Sequence, residues 1–370
     1  MGPVGILLAI VSFAATANVN AHMLKLIFGR QASALEVILA PSSTGEVAEL
    51  IATIKNVGSE DLNLLRVGTL LDEVLPVEKV SVVDESGAEV PFRGIHASIL
   101  HDALTAKNFR LLKASESLST VIKAAAVHKF EKSGTYTFSA TGMIPVAPAG
   151  STELSGPAIA IQSNSISLHV DAQSAAAVPK AMSFNPLQER TDVQDGCNAT
   201  QLAASTAALA NCEKLALAAA ADAADPSSAR FVEYFQTNSS ETRQTVAGRL
   251  KAAAKECSST DSGPSRYFCY DYYNLCETEG PLNAYTKWDF SYVVMCPLFY
   301  DALPPLPQGC HHQDQATTTI HEMTHCEDVY KPHTDDFVYG YNESVALPAE
   351  RALLNADNYS LYANAVYMKC

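Results

Sequence analysis

Residues 321–325 of this 370-residue chain read HEMTH, two histidines four apart with a glutamate after the first. On a helix, positions i and i+4 lie on one face, so His321 and His325 can each aim an imidazole nitrogen at a single ion. Glu322 is turned by roughly 100° from that face, which lets it address a water on the ion rather than the ion itself. Metal-assisted hydrolysis of an amide needs this set: neutral nitrogen ligands that leave zinc Lewis-acidic, and a carboxylate to take a proton from the attacking water. The surrounding QDQATTTIHEMTHCEDVY contains no glycine or proline and is compatible with a helix.

The pattern does not fix the third ligand. A metzincin would carry glycine and histidine three and six residues after His325; Asp328 and Lys331 stand there, which excludes that class. A gluzincin would bring a glutamate from a following helix, keeping Glu343 and Glu350 open beside His333, Asp335, Asp336 and Asp357.

The elements that must position these groups divide the chain in two. Before residue 190, LEVILAP, VAELIATIKNV, EKVSVVD, STVIKAAAV, GTYTFSATG and SISLHVDA alternate at period two between turn residues, predicting a β-rich, sandwich-like domain. After it the period becomes helical, in ATQLAASTAALANCEKLALAAAADAA, SARFVEYFQTN and SETRQTVAGRLKAAAKEC, the last opened by a serine or threonine cap. KWDFSYVVMC predicts a strand, and a strand at the edge of the cleft could pair with an extended substrate. Helix is expected from Asp314 to just before Pro332, and again from about Leu347 toward Tyr367.

Composition follows the same division. All nine cysteines lie at or after Cys197, predicting one disulfide-stapled half and one without staples. From Thr191 onward there are 23 acidic against 11 basic residues, and 17 against 14 before it, so the second half is net −12 and the first −3. Such a field disfavours nucleic acid and anionic membrane and favours basic peptides and cations. Met1 to about Ala21 has the apolar run and small residues of a secretory signal, too short to span a membrane. Lys180 and Arg190 lie in a weakly periodic linker, and cleavage after Arg190 would release a chain beginning at Thr191. Sequons at Asn198, Asn238, Asn342 and Asn358 are candidate glycosylation sites. His96, His101, His128 and His169 are scattered through strand-like sequence and read as structural.

TDDFVYGY, following HEMTH, resembles the G-T-x-D-x-x-Y-G signature of the deuterolysins, fungal secreted zinc endopeptidases also called aspzincins. LPPLPQGCHHQDQATTTIHEMTH and LLNADNYSLYANAVYMKC are similar to that family as well. The resemblance implies Asp336 as the third zinc ligand and Tyr339 as an oxyanion donor. It implies disulfides Cys197–Cys269, Cys276–Cys296 and Cys310–Cys370, leaving Cys212 and Cys257 for a fourth bridge and Cys326 odd. His333 stands where the signature has glycine, which raises the question of a loop conformation that histidine tolerates poorly. Asp357 is expected as a buried hydrogen-bonding group supporting the site.

The combined expectation is a multi-domain, secreted, monomeric zinc endopeptidase made as a zymogen: signal 1–21, β-rich propeptide 22–190 that covers the cleft, and a mainly α zincin-like catalytic domain 191–370 with a small sheet. Basic proteins such as histones and protamines are the expected substrates. The competing reading is an inert, disulfide-rich secreted binding protein with a structural zinc; Glu322 opposes it, because a closed structural site has no use for that carboxylate.

Overall fold

The computed structural model describes residues 33–182, 193, 196–259, 263–277 and 280–370. The signal-like segment and Arg190 lie outside the described residues.

In the N-terminal half the strands are β1 (Leu35–Pro41), β2 (Glu49–Asn56), β3 (Leu62–Leu65), β4 (Ser81–Val83), β5 (His96–Ile99), β6 (Phe109–Leu112), β7 (Ser117–Lys123), β8 (Gly134–Ser139), β9 (Thr141–Ile144), β10 (Val146–Pro148), β11 (Ile159–Gln162) and β12 (Ile166–Val170). They form antiparallel sheets of order β1-β2-β7, β12-β8-β4, β10-β3-β6 and β11-β9. Alternation is visible in β1, where Leu35, Val37 and Leu39 are buried and the residues between them exposed. These join Ile54, Leu64, Val82, Ile122, Phe138 and Ile161 in one core. The expected strand STVIKAAAV ends at Lys123, because Ala124–Val127 turns into a short helix, α1, whose first two alanines are buried in that core. Helix α2 (Ala172–Ala177) follows β12.

The C-terminal half is built on three long helices. Asn198 caps α3 (Ala199–Ala224) reciprocally with Gln201. After α4 (Ala229–Phe235), Ser239 caps α5 (Ser240–Ser258). The third, α10 (Ala356–Met368), replaces the single last helix expected from Leu347; α8 (Tyr341–Val345) and α9 (Ala349–Ala352) are separate turns before it, with Pro348 between them. The helix carrying HEMTH, α7 (Gln315–His325), follows α6 (Pro297–Asp301) and stops at Cys326, well short of Pro332. Disulfides Cys197–Cys269, Cys212–Cys257, Cys276–Cys296 and Cys310–Cys370 form, and Cys326 is free and buried.

One sheet joins the halves, with order β13-β15-β14-β5, where β13 is Arg266–Phe268, β14 Leu282–Lys287 and β15 Tyr292–Met295. β15 is the expected strand, but it is central rather than an edge: β13 pairs with it in parallel and β14 antiparallel. β14 is central too, with β15 on one side and β5 antiparallel on the other, so β5 is the edge strand at that end. A core cluster accordingly mixes Ile95, Ala97 and Ile99 with Phe268, Leu282, Tyr285 and Val294, and residues 33–370 form one compact unit. No helix among the described residues is long and apolar enough to cross a membrane.

Candidate metal centre

Asp314 starts the helix that carries the site. Its Oδ1 accepts from the backbone N–H of Ala316 and Thr317, satisfying donors that the first helical turn leaves open. Burial raises its pKa to about 6, against the lowering effect of Thr317 and the two backbone donors.

On this helix His321, Glu322 and His325 are all buried. His321 Nδ1 donates to Asp357 Oδ1 at 2.9 Å, and His325 Nδ1 donates to the Thr334 carbonyl at 2.7 Å. A carbonyl or carboxylate can only accept, so Nδ1 carries hydrogen in both rings and Nε2 is left as the lone-pair nitrogen. The two Nε2 atoms lie 3.2 and 3.3 Å from one oxygen, Asp336 Oδ1.

The loop that delivers Asp336 is sewn to the start of α10. Asn355 Oδ1 accepts from the N–H groups of Phe337 and Val338, while Asp335 N–H donates to the Leu354 carbonyl. Asp357 reaches back with its second oxygen to the N–H of Gly340, whose φ of +83° favours glycine. Buried Arg249, from α5, donates to the carbonyls of Pro332 and Leu353, on the two segments joined there. His333 has no positive φ, so its backbone meets no glycine requirement. Its ring stacks on Trp288 at 4.2 Å and hydrogen-bonds Glu327.

His321 Nε2, His325 Nε2, both Asp336 carboxylate oxygens and Glu322 Oε1 are buried without a hydrogen-bond partner. So many orphaned polar atoms converging on one point are costly unless something satisfies them. Burial alone would lower the His321 pKa, yet Asp336 and Asp357 hold it well above its ordinary value; burial alone would raise that of Asp336, yet His325 and His321 hold it far below. Two imidazoles and a carboxylate suit zinc, and the fit is good.

Glu322 belongs to the same pocket without facing that point in the same way. Its Oε2 accepts from the Thr286 hydroxyl of β14 at 2.6 Å, leaving Oε1 free. Burial raises its pKa, opposed by His321, His325 and Thr286. Tyr339 is also close, 6.3 Å ring to ring from His321, and its hydroxyl donates to the Ala97 carbonyl of β5 at 2.8 Å. Burial, reinforced by Asp336, pushes its pKa well up.

Structure separates the other candidates. Glu343 and Glu350, in α8 and α9, are not in the cluster. Asp335 faces His333 at 3.6 Å rather than the two zinc-facing nitrogens. Asn198, Asn238 and Asn342 are exposed, but Asn358 is fully buried and its amide donates to the carbonyls of Tyr234 and Ser344, so it is corrected from glycan candidate to core hydrogen-bonding group.

Sequence reasoning missed Thr286, because a threonine in an unrecognised strand carries no chemical signal. Sequence reasoning took His96 as structural and did not place it beside the site. That ring, from the N-terminal half, stacks on His325 at 4.4 Å and 9°, with Nδ1 3.8 Å from Asp336 Oδ2. His96, His325 and Asp336 each offer a ligand atom within 4.8 Å of the others.

The fold and site define a zincin-type hydrolytic metal centre on a helix packed under a small sheet. The deuterolysin metalloprotease (M35) family profile matches residues 6–370. A neutral protease 2 homolog of Botryotinia fuckeliana is 45% identical over 364 residues, covering 98% of each chain. One of Sclerotinia sclerotiorum is 46% identical over 351 residues and covers 95% of each. Among solved structures, a zinc peptidase from Grifola frondosa shares 21% identity at a TM-score of 0.37, covering 46% of this chain and 97% of that one. The chain belongs to the deuterolysin metalloprotease family and is a zinc metalloendopeptidase.

Proposed function

We propose that zinc is held by His321, His325 and Asp336, that Glu322 is the general base, and that the chain is a secreted zymogen whose prodomain ends near residue 190. The observation that carries the ligand assignment is the convergence of two hydrogen-depleted Nε2 atoms on Asp336 Oδ1, all buried and without hydrogen-bond partners. Zinc supplies Lewis acidity there, polarising a peptide carbonyl and making water acidic.

The chain's own groups do the rest. Glu322, held by Thr286 through one oxygen, presents the other to take the proton of the attacking water and then gives it to the leaving amine. Tyr339 donates to the oxygen of the scissile carbonyl as negative charge develops on it. That a main-chain carbonyl can reach this hydroxyl is supported by its bond to Ala97. With β5 removed, the side of β14 that β5 now occupies would be the pairing edge for an extended substrate.

The inert-binder reading is disfavoured by the free, buried Oε1 of Glu322. The test is chelator-reversible casein hydrolysis in wild type and Glu322→Gln. Zinc retained with turnover reduced by about 10²–10⁴-fold is expected; full turnover in the variant would sink the general-base assignment. The excess of 23 acidic over 11 basic residues after Thr191 supports a preference for basic proteins. Histone cleavage should then fall steeply with added salt, and equal rates on acidic substrates would count against that preference.

A further inference from the structure

We propose that the uncut chain holds a second zinc ion, outside the hydrolytic site and between the two halves, with His96 of β5 and His333 and Asp335 of the loop after the zinc helix as its ligands. None of these three residues has a part in the hydrolytic reading above.

His96 supplies the observation that carries this site. Its ring is buried and stacks nearly parallel on His325, at 4.4 Å and 9°, so one ion cannot lie in both ring planes and the zinc of His325 is closed to it. Its Nδ1 is turned to Asp336, 3.8 Å from Oδ2, and its Nε2 to Asp335, where it has no hydrogen-bond partner. An unpartnered nitrogen in a buried ring is costly unless something satisfies it.

Asp335 Oδ1 lies 3.9 Å from His96 Nε2 and 3.6 Å from His333 Nε2. Both gaps are too long for hydrogen bonds. They are only slightly wider than the roughly 3.3–3.5 Å that separates neighbouring donors around a tetrahedral zinc with bonds of about 2.0–2.1 Å. One ligand atom from each of the three residues lies within 4.8 Å of the others. Unlike the stacked pair, the His96 and His333 rings are tilted by 50° with centroids 5.8 Å apart, so their planes cross and one ion can lie in both.

His333 is prepared in the same way as the two histidines of HEMTH. Its Nδ1 donates to Glu327 Oε2 at 3.0 Å, which leaves Nε2 as the lone-pair nitrogen facing Asp335, and Trp288 fixes the ring by stacking at 4.2 Å. Asp335 is held through its N–H on the Leu354 carbonyl. Its side chain is 37% exposed, so an ion and a completing water can reach the site from solvent. His96 arrives through the pairing of β5 with β14, where it lies opposite Thr286.

The N-terminal half thus gives one ligand and the C-terminal half two, and an ion there ties the halves together. A chain separated after residue 190 keeps only His333 and Asp335, so the site exists only while the halves are joined. The ion also gives a use to the histidine that stands at the glycine position of the signature, since glycine has no side chain to ligate.

The test is equilibrium dialysis of the uncut full chain against graded free zinc, with bound metal counted. Wild type should saturate at two ions per chain and His333→Gly at one, its affinity for the second ion falling by more than the roughly 10–100-fold typical of an outer partner. His96→Gln should also saturate at one. Equal saturation of wild type and His333→Gly overturns the proposal, and is what an ion-paired His333 between Glu327 and Asp335 would give. If His96→Gln does not fold, the comparison of wild type with His333→Gly decides alone. Failure of the hydrolytic zinc reading looks different: His333→Gly still loses one ion relative to wild type, whereas His321→Gln loses none.

Discussion

The two halves meet in one sheet yet are stabilised by opposite means. The N-terminal half carries no cysteine and hardly any net charge, and its cohesion comes from alternating strands closing over Ile54, Phe138 and their neighbours. The C-terminal half carries four disulfides, an excess of acid, and every group to which the proposed mechanism gives a role in hydrolysis. On the zymogen reading proposed above, the difference would suit a second half that persists alone and a first half that is given up. Disulfides constrain an unfolded chain whatever its partners, but a hydrophobic strand exposed by separation has nothing to hold it.

The sharpest way to break this comparison is to look for chemistry outside the C-terminal half. In the His333→Gly chain, which should hold a single ion, Asp336→Asn should lose zinc well beyond the roughly 10–100-fold that an outer partner commands, with Asp335→Asn close to its parent. Metal analysis of the two variants side by side checks it; equal losses would mean that the loop is read one residue out. Next in size, replacing Cys310 and Cys370 by alanine should cost about 2–5 kcal/mol. Thermal unfolding should show the loss in the helical half with the β-rich half's transition unmoved, and a shared loss would deny the two halves separate stability. Asp357→Asn should weaken zinc by roughly 10–100-fold while retaining Glu322-dependent turnover at saturating metal; a zinc titration against activity reads both.

The smallest effect is a pH dependence. Asp314 titrates near 6 in the folded protein and at its lower ordinary value when unfolded, so the folded state holds that proton more tightly. Its buried charge costs stability above pH 6, and the cost is relieved as pH falls from about 6 toward 4, by about 1.4 kcal/mol per unit at most. Relative to Asp314→Asn, wild type should gain melting temperature over that window. A difference independent of pH would place the cause elsewhere.

How much of this was legible beforehand depended on whether the information was local. HEMTH on a helix is a spacing property, so His321, Glu322 and His325 could be read directly. Asp336 could not be told from Asp335, Glu343 or Glu350 by residue type; the resemblance of TDDFVYGY to a known signature separated them, and Asn355 and Asp357 now supply the physical reason. Helices α3 and α5 announced themselves through alanine-rich periodicity and caps. β14 did not, since all six residues of LNAYTK are buried and no alternation survives. With β14 unseen, β15 was mistaken for the edge. The placement of His96 beside the site was illegible for a related reason: it comes from pairing across nearly two hundred positions of chain, which no window on the sequence contains.

Asp357 has one more consequence. Through its two oxygens it fixes both the His321 ring and the N–H of Gly340, beside Tyr339, and it lies near the very end of the polypeptide. Chains are synthesised from the N-terminus and domains tend to fold in that order. The segment carrying Asp357 is therefore made after every strand of the β-rich half, and the metal centre cannot be completed before it.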